Sequence, residues 1–356
     1  MSAPSLSVIV NFFNSRREAA RTLLSLSATY QNQVDPGEYE VIAVDNGSSA
    51  PLTDELVRCH GPNFRYVFHA TTSKSPVEAI NRAVAGCAGR NVMILIDGAH
   101  IVSPGVIRSA HAAFRSFASP FVVTVPFHIG PEMQNMSIMK GYNQEVEDKL
   151  LASIDWASNG YRLFDIAGAC ADASMGWFGR LYESGCFAIS KVNFLQLGGF
   201  DERFQARGGG LANLDFFARA LLRQDLEYVL LLGEGSFHQF HGGVASNAPA
   251  NAHPWHELHE EYVRIRGQPF KEVDRRPTFL GQISPEATRW AALSATAGFR
   301  WWQQRERNVF SNSSNSVTPR RNDACLCGSG RKHKHCCGAH NSLSPGASSS
   351  SLSRSN

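Results

Sequence analysis

Residues 6–30 read LSVIVNFFNSRREAARTLLSLSATY. Leu6 to Phe13 is a short apolar run that stops at the polar Asn14, the pattern of a buried parallel strand. After it, apolar residues recur at helical spacing, with Ser15 placed as a candidate N-cap. Moving outward, EYEVIAVDNGSSA (38–50) reads as a second strand that breaks into turn residues after Asp45, and EAINRAVAGCAG (78–89) as a helix. NVMILIDGAH (91–100) reads as a third strand ending at Asp97, and SPGVIRSAHAAFRSF (103–117) as a helix with Pro104 near its start. Strand, helix, strand, helix, strand in this order predicts an α/β fold with a doubly wound, mostly parallel sheet. In such sheets ligands bind outside the carboxyl ends of the strands, the edge where Asp45 and Asp97 stand.

Further along, PFVVTVPF (120–127) and YVLLLGEGSF (228–237) read as strands. LANLDFFARALLR (211–223) carries a helical stripe at 211, 214, 217, 221 and 222, preceded by the Gly-rich loop QARGGGLAN (205–213). PEATRWAALSATAGFRWWQQRER (285–307) reads as helix. The domain reading is a large domain over 1–270, divided at about residue 100. A helical extension (271–310), a polar linker (311–320), a small module (321–340) and a Ser-rich disordered tail (341–356) follow it.

The chain has 356 residues, 43% hydrophobic and 18% charged, with net charge +3 and mean hydropathy −0.21. That is a globular balance with no call for a specific nucleic-acid partner. The N-terminal apolar run is too short for a signal peptide and has neither basic n-region nor cleavage site, and no stretch is long enough to span a bilayer. The expected location is the cytoplasm, or the periphery of the inner membrane. Of the eight cysteines, Cys59, Cys87, Cys170 and Cys186 lie in apolar contexts and are expected to be buried free thiols. Cys325, Cys327, Cys336 and Cys337 form a tight group in CLCGSGRKHKHCC (325–337). Four thiolates with Gly328 and Gly330 turning the chain between the pairs suit a closed tetrahedral zinc site, with His335 or His340 as an alternative to one cysteine. Zinc would supply the folding energy of so short a segment. Residues 321–340 resemble the SEC-C motif, whose last ligand is often His where this chain has Cys337.

The larger domain is similar to the family 2 glycosyltransferases of the GT-A fold. Their opening strand and Tyr-Asn turn correspond to VIVNFFNS (8–15), and their Asp-Asp-Gly-Ser strand end to IAVDNGSS (42–49). Their helix with an Arg-Asn pair corresponds to AINRAVAGCAG (79–89), their Asp-x-Asp strand to ILIDGAH (94–100), and their Gly-Gly-Phe-Asp-Glu to GGFDERF (198–204). The likeness spans about residues 5–245. It implies transfer of a sugar from a UDP- or GDP-sugar to an acceptor hydroxyl, inverting and metal-assisted, the acceptor being a carbohydrate, a lipid-linked molecule or a protein. It implies that Asp45 holds the nucleoside, with Asn14 and Asn46 beside it. It also implies that Asp97 holds a divalent cation, manganese or magnesium, at the diphosphate. The alternative for each is a strand-end aspartate that caps its own turn.

Two positions depart from the family pattern, and a late pair of histidines agrees with one the family often recruits to the metal. The second acid after Asp97 is Ala99, followed by His100, and imidazole suits manganese better than magnesium. His238 and His241 follow a late strand, and one of them is a candidate for the same cation. Aligning Asp215 and Arg219 with the family's last acid and arginine puts Asn213 where the base belongs, and an amide cannot take a proton. Asp215 is the nearest remaining carboxylate, with Asp201, Glu202 and Glu183 as further candidates. Two other readings follow from this departure: a nucleotide-sugar or glycan-binding protein without turnover, and a protein-docking chain acting through its zinc tail. Trp301 and Trp302 beside Phe299 are expected in the core of a terminal helix, and His253, His256 and His259 on the surface face of another.

Overall fold

The computed structural model describes residues 3–170, 174–312, 320–325, 329 and 331–336, with backbone alone for 304–312. Its first part is a parallel block. β1 (Leu6–Phe12) lies between β2 (Tyr39–Asp45) and β4 (Asn91–Leu95), and β3 (Phe64–Phe68) pairs outside β2. The crossovers are α1 (Arg16–Ser25), α2 (Asp54–Arg58) and α3 (Val77–Gly86). Every residue of β1 is buried, because both faces of the sheet are covered. Val8, Val10, Val41, Ala43, Met93 and Leu95 face one layer with α1, while Ile9, Ile42, Val44, Val92 and Ile94 face the other with α3.

The second part is a second parallel block joined to the first through an antiparallel strand. β5 (His100–Val102) and α4 (Val106–Ser116) lead into β6 (Pro120–Ile129). The short α5 (Gln134–Ser137), α6 (Gln144–Ala152) and β7 (Ala167–Ala169) precede β8 (Cys186–Ser190), which runs antiparallel between β4 and β6. After α7 (Lys191–Gln196) and α8 (Ala212–Leu222), β9 (Glu227–His238) runs parallel to β6. α9 (Trp255–Arg266) follows, then β10 (Thr278–Gly281), parallel to β9, and α10 (Thr288–Asn312). The order across the sheet is β10-β9-β6-β8-β4-β1-β2-β3, with β5 also on β9 and β7 on β6.

The fold is therefore α/β with a mostly parallel sheet, and several details differ from the sequence reading. β3 went unread because FRYVF, with Phe68 exposed, is an edge strand without the patterning of a buried one. Ser15 precedes α1 but makes no side-chain cap, and its hydroxyl is buried without a partner. The boundary at residue 270 falls inside the packed body: β10 extends the sheet, and Trp290 donates its indole N–H to the carbonyl of Phe164 at 3.0 Å. The linker reading from 311 overlaps α10, which continues to Asn312, and residues 313–319 lie outside the described residues. Cys59 is exposed at the end of α2 rather than buried, whereas Cys87, Cys170 and Cys186 are buried. Trp301 and Trp302 are half-buried against each other, with the Arg276 guanidinium 3.6 Å over the Trp302 ring, and Phe299 is exposed.

α8 presses its apolar face on the sheet through a cluster of rings. Phe216, fully buried, lies 5.0 Å from Phe200 and 5.1 Å from both Phe187 and Phe194, centroid to centroid. Phe216→Ala should destabilise the protein by about 3–5 kcal/mol, since close-packed rings on three sides cannot collapse into the cavity. A urea midpoint that moves by less than about 1 kcal/mol equivalent would show that α8 is held by something else.

Candidate functional site

A cavity of about 340 Å³ lies at the carboxyl ends of β1, β4 and β9. Its polar lining falls in three groups. Asn11, Asn14, Asn46 and Lys74 come from residues 11–74, Asp97, His100, His238 and His241 from the ends of β4, β5 and β9, and Glu183, Arg207 and Asn213 from residues 183–213; Asp97 and the histidines are the middle group.

In the middle group, Asp97 ends the turn after β4. Its Oδ1 accepts from the Ala99 N–H at 3.0 Å, and Gly98 follows because a Cβ there would stand 2.2 Å from the Phe12 ring. Asp97 Oδ2 lies 2.9 Å from His241 Nε2 and 3.4 Å from His238 Nε2, and the two imidazole nitrogens are 3.2 Å apart. These three ligand atoms are a convergent set. Their spacing of about 3 Å is that of neighbouring ligands around an octahedral ion with bonds of about 2.1 Å, and the mixed N/O donors suit a manganese-type ion. The residues present therefore fit a divalent cation.

The electrostatics agree. Burial works against charge on Asp97, but the neighbouring His241 outweighs it and holds the carboxyl well below its ordinary range. Burial pushes His238 down to about 4, so it is neutral at pH 7. Burial likewise lowers His100. His241 is raised: burial opposes its charge, but the Asp97 carboxylate more than compensates.

His100 does not join the convergent set. Its Nδ1 lies 3.0 Å from the Asp97 carbonyl, and its ring is edge-on to His238 at 4.9 Å. It is a packing neighbour, and Gly185 passes so close that a Cβ there would come 2.7 Å from His100 Nε2. Asp45 is also displaced from its expected role. It is fully buried, its Oδ1 accepting from the Ser48 N–H and its Oδ2 from the Leu52 N–H, both at 2.9 Å. It caps its own turn, and its neighbour Asn46 faces the cavity instead. The Asn46 amide donates to the Ser75 carbonyl at 3.1 Å, leaving a buried Oδ1 with no partner. Asn14, held at φ 50°, accepts from the Ser49 N–H at 2.9 Å.

In the last group, the Asn213 amide donates to Glu183 Oε2 at 2.8 Å and to the Ser184 carbonyl at 3.2 Å. Glu183, one of four carboxylates weighed from the sequence, is the one that reaches the cavity beside Asn213. Asp215 does not. It is buried between Arg219 (2.7 Å) and Arg266 (2.6 Å), tying α8 to α9. Asp201 pairs with Arg203 and Arg266, and Glu202 accepts from Asn81. His259 turns inward, accepting the Phe270 N–H at 3.2 Å and stacking on Trp255, and among the described residues the histidines of α9 form no metal-ligating group.

Sequence reasoning missed Gln134 and Asn247, amides that touch the two histidines; nothing in a Gln or an Asn outside a motif signals such a contact. In the C-terminal segment, Cys325 Sγ lies 3.8 Å from His333 Nδ1, and Ser329 Oγ donates to Cys336 Sγ at 3.3 Å. Cys327, Cys337 and His340, the rest of the zinc reading, lie outside the described residues, as does the tail from 341. No helix among the described residues is long and apolar enough to cross a membrane.

Residues 7–176 match the family model of glycosyl transferase family 2, and residues 321–339 that of the SEC-C motif. No curated protein matches the chain. Similar solved structures include S. aureus TarS 1–349, at 14% identity and TM-score 0.42, covering 66% of this chain and 60% of that one, less than two thirds of its length. The same protein in complex with UDP-GlcNAc is matched at 15% identity and TM-score 0.45, over 88% of this chain and 76% of that one. The mannosyltransferase PcManGT from Pyrobaculum calidifontis, in complex with GDP-Man and Mn2+, is matched at 14% identity and TM-score 0.44, over 89% and 77%.

Asp215→Ala should lower stability by about 3 kcal/mol, the lower end for breaking a buried pair, because both guanidiniums keep some water. The folded fraction should retain any donor turnover. Loss of turnover at unchanged stability would return Asp215 to the chemistry.

Proposed function

We propose that this chain, whose residues 7–176 belong to glycosyl transferase family 2, moves a sugar from a UDP- or GDP-sugar to an acceptor hydroxyl with inversion at the anomeric carbon. The observation that carries the reading is the convergence of Asp97, His238 and His241 in a cavity that Glu183 also lines. Asp97, His238 and His241 would hold a divalent cation. Bound there, it supplies positive charge to the diphosphate oxygens as the leaving group departs.

The chain's own residues account for the remaining requirements. Asn14 and Asn46 take the nucleoside side, where the unpartnered Asn46 Oδ1 is placed to accept from a base N–H or a ribose hydroxyl. Lys74 and Arg207 bring positive charge to the same cavity, where an anionic donor is favoured. Glu183 acts as general base. As the acceptor oxygen bonds to the anomeric carbon and the bond from that carbon to the β-phosphate oxygen breaks, the acceptor proton passes to the Glu183 carboxylate. Asn213 cannot take a proton, so its part is to aim Glu183 through the 2.8 Å hydrogen bond. The SEC-C segment at 321–339 is read as a zinc-stabilised module for a protein partner, separate from the transfer chemistry.

Two substitutions test this on purified full-length protein supplied with Mn2+ and a panel of UDP- and GDP-sugars. Asp97→Ala should abolish release of nucleotide with the fold intact. Glu183→Gln should keep donor binding and lower acceptor-dependent turnover by about 10²–10⁴-fold. Full activity in Asp97→Ala rejects the cation reading. Full activity in Glu183→Gln rejects the base assignment. Donor binding without turnover in the unaltered protein, with every acceptor, makes the chain a binder rather than an enzyme.

A further inference from the structure

We infer that Gln134 and Asn247 are positioning residues that fix which nitrogen of His238 carries the proton, and so build the face that Asp97, His238 and His241 present to a cation. The inference rests on the cation reading above, but its core concerns only the amides and the imidazole.

The orientation of each amide follows from its surroundings. Asn247 is buried, and its side-chain oxygen accepts three backbone N–H groups, those of His241 (3.1 Å), Gly242 (2.8 Å) and Gly243 (2.9 Å). Only an oxygen can accept from three donors, so its Nδ2 must be the atom that points at Gln134. Gln134 is fully buried. Its Nε2 faces two carbonyl oxygens, those of His238 at 2.9 Å and Ile129 at 3.4 Å, so its Oε1 is the acceptor end. That oxygen receives Asn247 Nδ2 at 2.9 Å and has His238 Nδ1 at 2.8 Å. An amide oxygen can only accept, so His238 Nδ1 carries the hydrogen.

The consequence appears on the other side of the ring. In the neutral imidazole Nε2 then bears a lone pair, and it points at a carboxylate oxygen and a second imidazole nitrogen, with the rotatable Ser246 hydroxyl 3.4 Å away. A lone pair facing a carboxylate is unfavourable unless positive charge lies between them, which is what a cation ligand set requires. Asn247 also closes the 241–247 loop on itself and so sets the approach of His241, while Glu147 accepts the Phe240 N–H at 2.6 Å and steadies the same turn. Two uncharged side chains from distant parts of the chain thus set the tautomer of one histidine and the placement of the other.

The experiment compares full-length wild type, Gln134→Leu, Gln134→Glu and Asp97→Ala. Mn2+ binding is followed through the electron paramagnetic resonance signal of free Mn2+. The His238 tautomer is read, without metal, in long-range 1H–15N spectra of 15N-histidine-labelled protein. Gln134→Leu removes the acceptor and should weaken Mn2+ binding about 10–100-fold at unchanged fold. Gln134→Glu offers an acceptor oxygen to the same N–H and should bind within a few-fold of wild type. The spectra should show His238 protonated at Nδ1 in wild type and lose that preference in Gln134→Leu. Wild-type affinity in folded Gln134→Leu overturns the proposal, as does equal loss in the Leu and Glu variants, which would mark Gln134 as packing only. Should Asp97→Ala bind Mn2+ as wild type does, the cation reading fails on its own. The spectra then still decide the tautomer: Nδ1–H supports the positioning role and Nε2–H overturns it.

Discussion

Three histidines stand in one row across three strands: His100 on β5 is level with His238 on β9, and His128 on β6 is level with His238 from the other side. The site depends on this register. β9 is twelve residues long and pairs with β6 at both ends, but the pairing slips in between, where Val123 meets Leu230 and Val125 meets Gly235. The extra residues of β9 form a bulge around Gly233, whose φ of 81° suits glycine. On one side of the bulge β9 takes β10 as its outer neighbour, and on the other it takes β5. A strand without the bulge would carry His238 away from Asp97, because a slip of one residue turns each side chain to the opposite face.

The bulge is held by a buried acid. Glu234 accepts from Ser103 Oγ, from the Gly105 N–H and from Tyr161 OH, and its backbone carbonyl accepts the Trp177 indole. Burial pushes its carboxyl above the usual range, and the three donors work in the other direction. Glu234 and Asp215 are both buried carboxylates that stabilise geometry at a distance from the cavity, one by pinning a strand and the other by joining two helices. Burial alone therefore does not distinguish a catalytic acid from a structural one. The distinction lies in what each carboxylate faces.

That distinction explains which parts of the molecule could be read in advance. The strands around Asp45 and Asp97 are fully covered, so their apolar runs are unambiguous, and His238 and His241 stand out just beyond one such run. β3 and the antiparallel β8 are set by their neighbours more than by their own patterns. The contacts of Asp45 and Asp215 divide on this point: Asp45 caps its own turn, a reading its local sequence offered, while one partner of Asp215 is an arginine 51 residues away, which local sequence does not encode. Glu183 carried no motif, and its prominence comes from the hydrogen bond of Asn213, 30 positions later.

That one carboxylate, Asp97, stands with two imidazoles has a physical consequence for the site. A pair of carboxylates would attract a divalent ion through charge and would repel each other without it. Here one carboxylate faces two imidazoles, so the cation-free arrangement costs less and the attraction for any hard ion is weaker. Under the transferase reading, affinity must then come from the direction in which the nitrogen lone pairs point rather than from net charge, and nitrogen donors favour manganese over magnesium. Direction is what the amides of Gln134 and Asn247 provide. A site with less charge therefore needs a more rigid surround, and here His238 is buried, both amides are hydrogen-bonded and the register of the strand is pinned by Glu234.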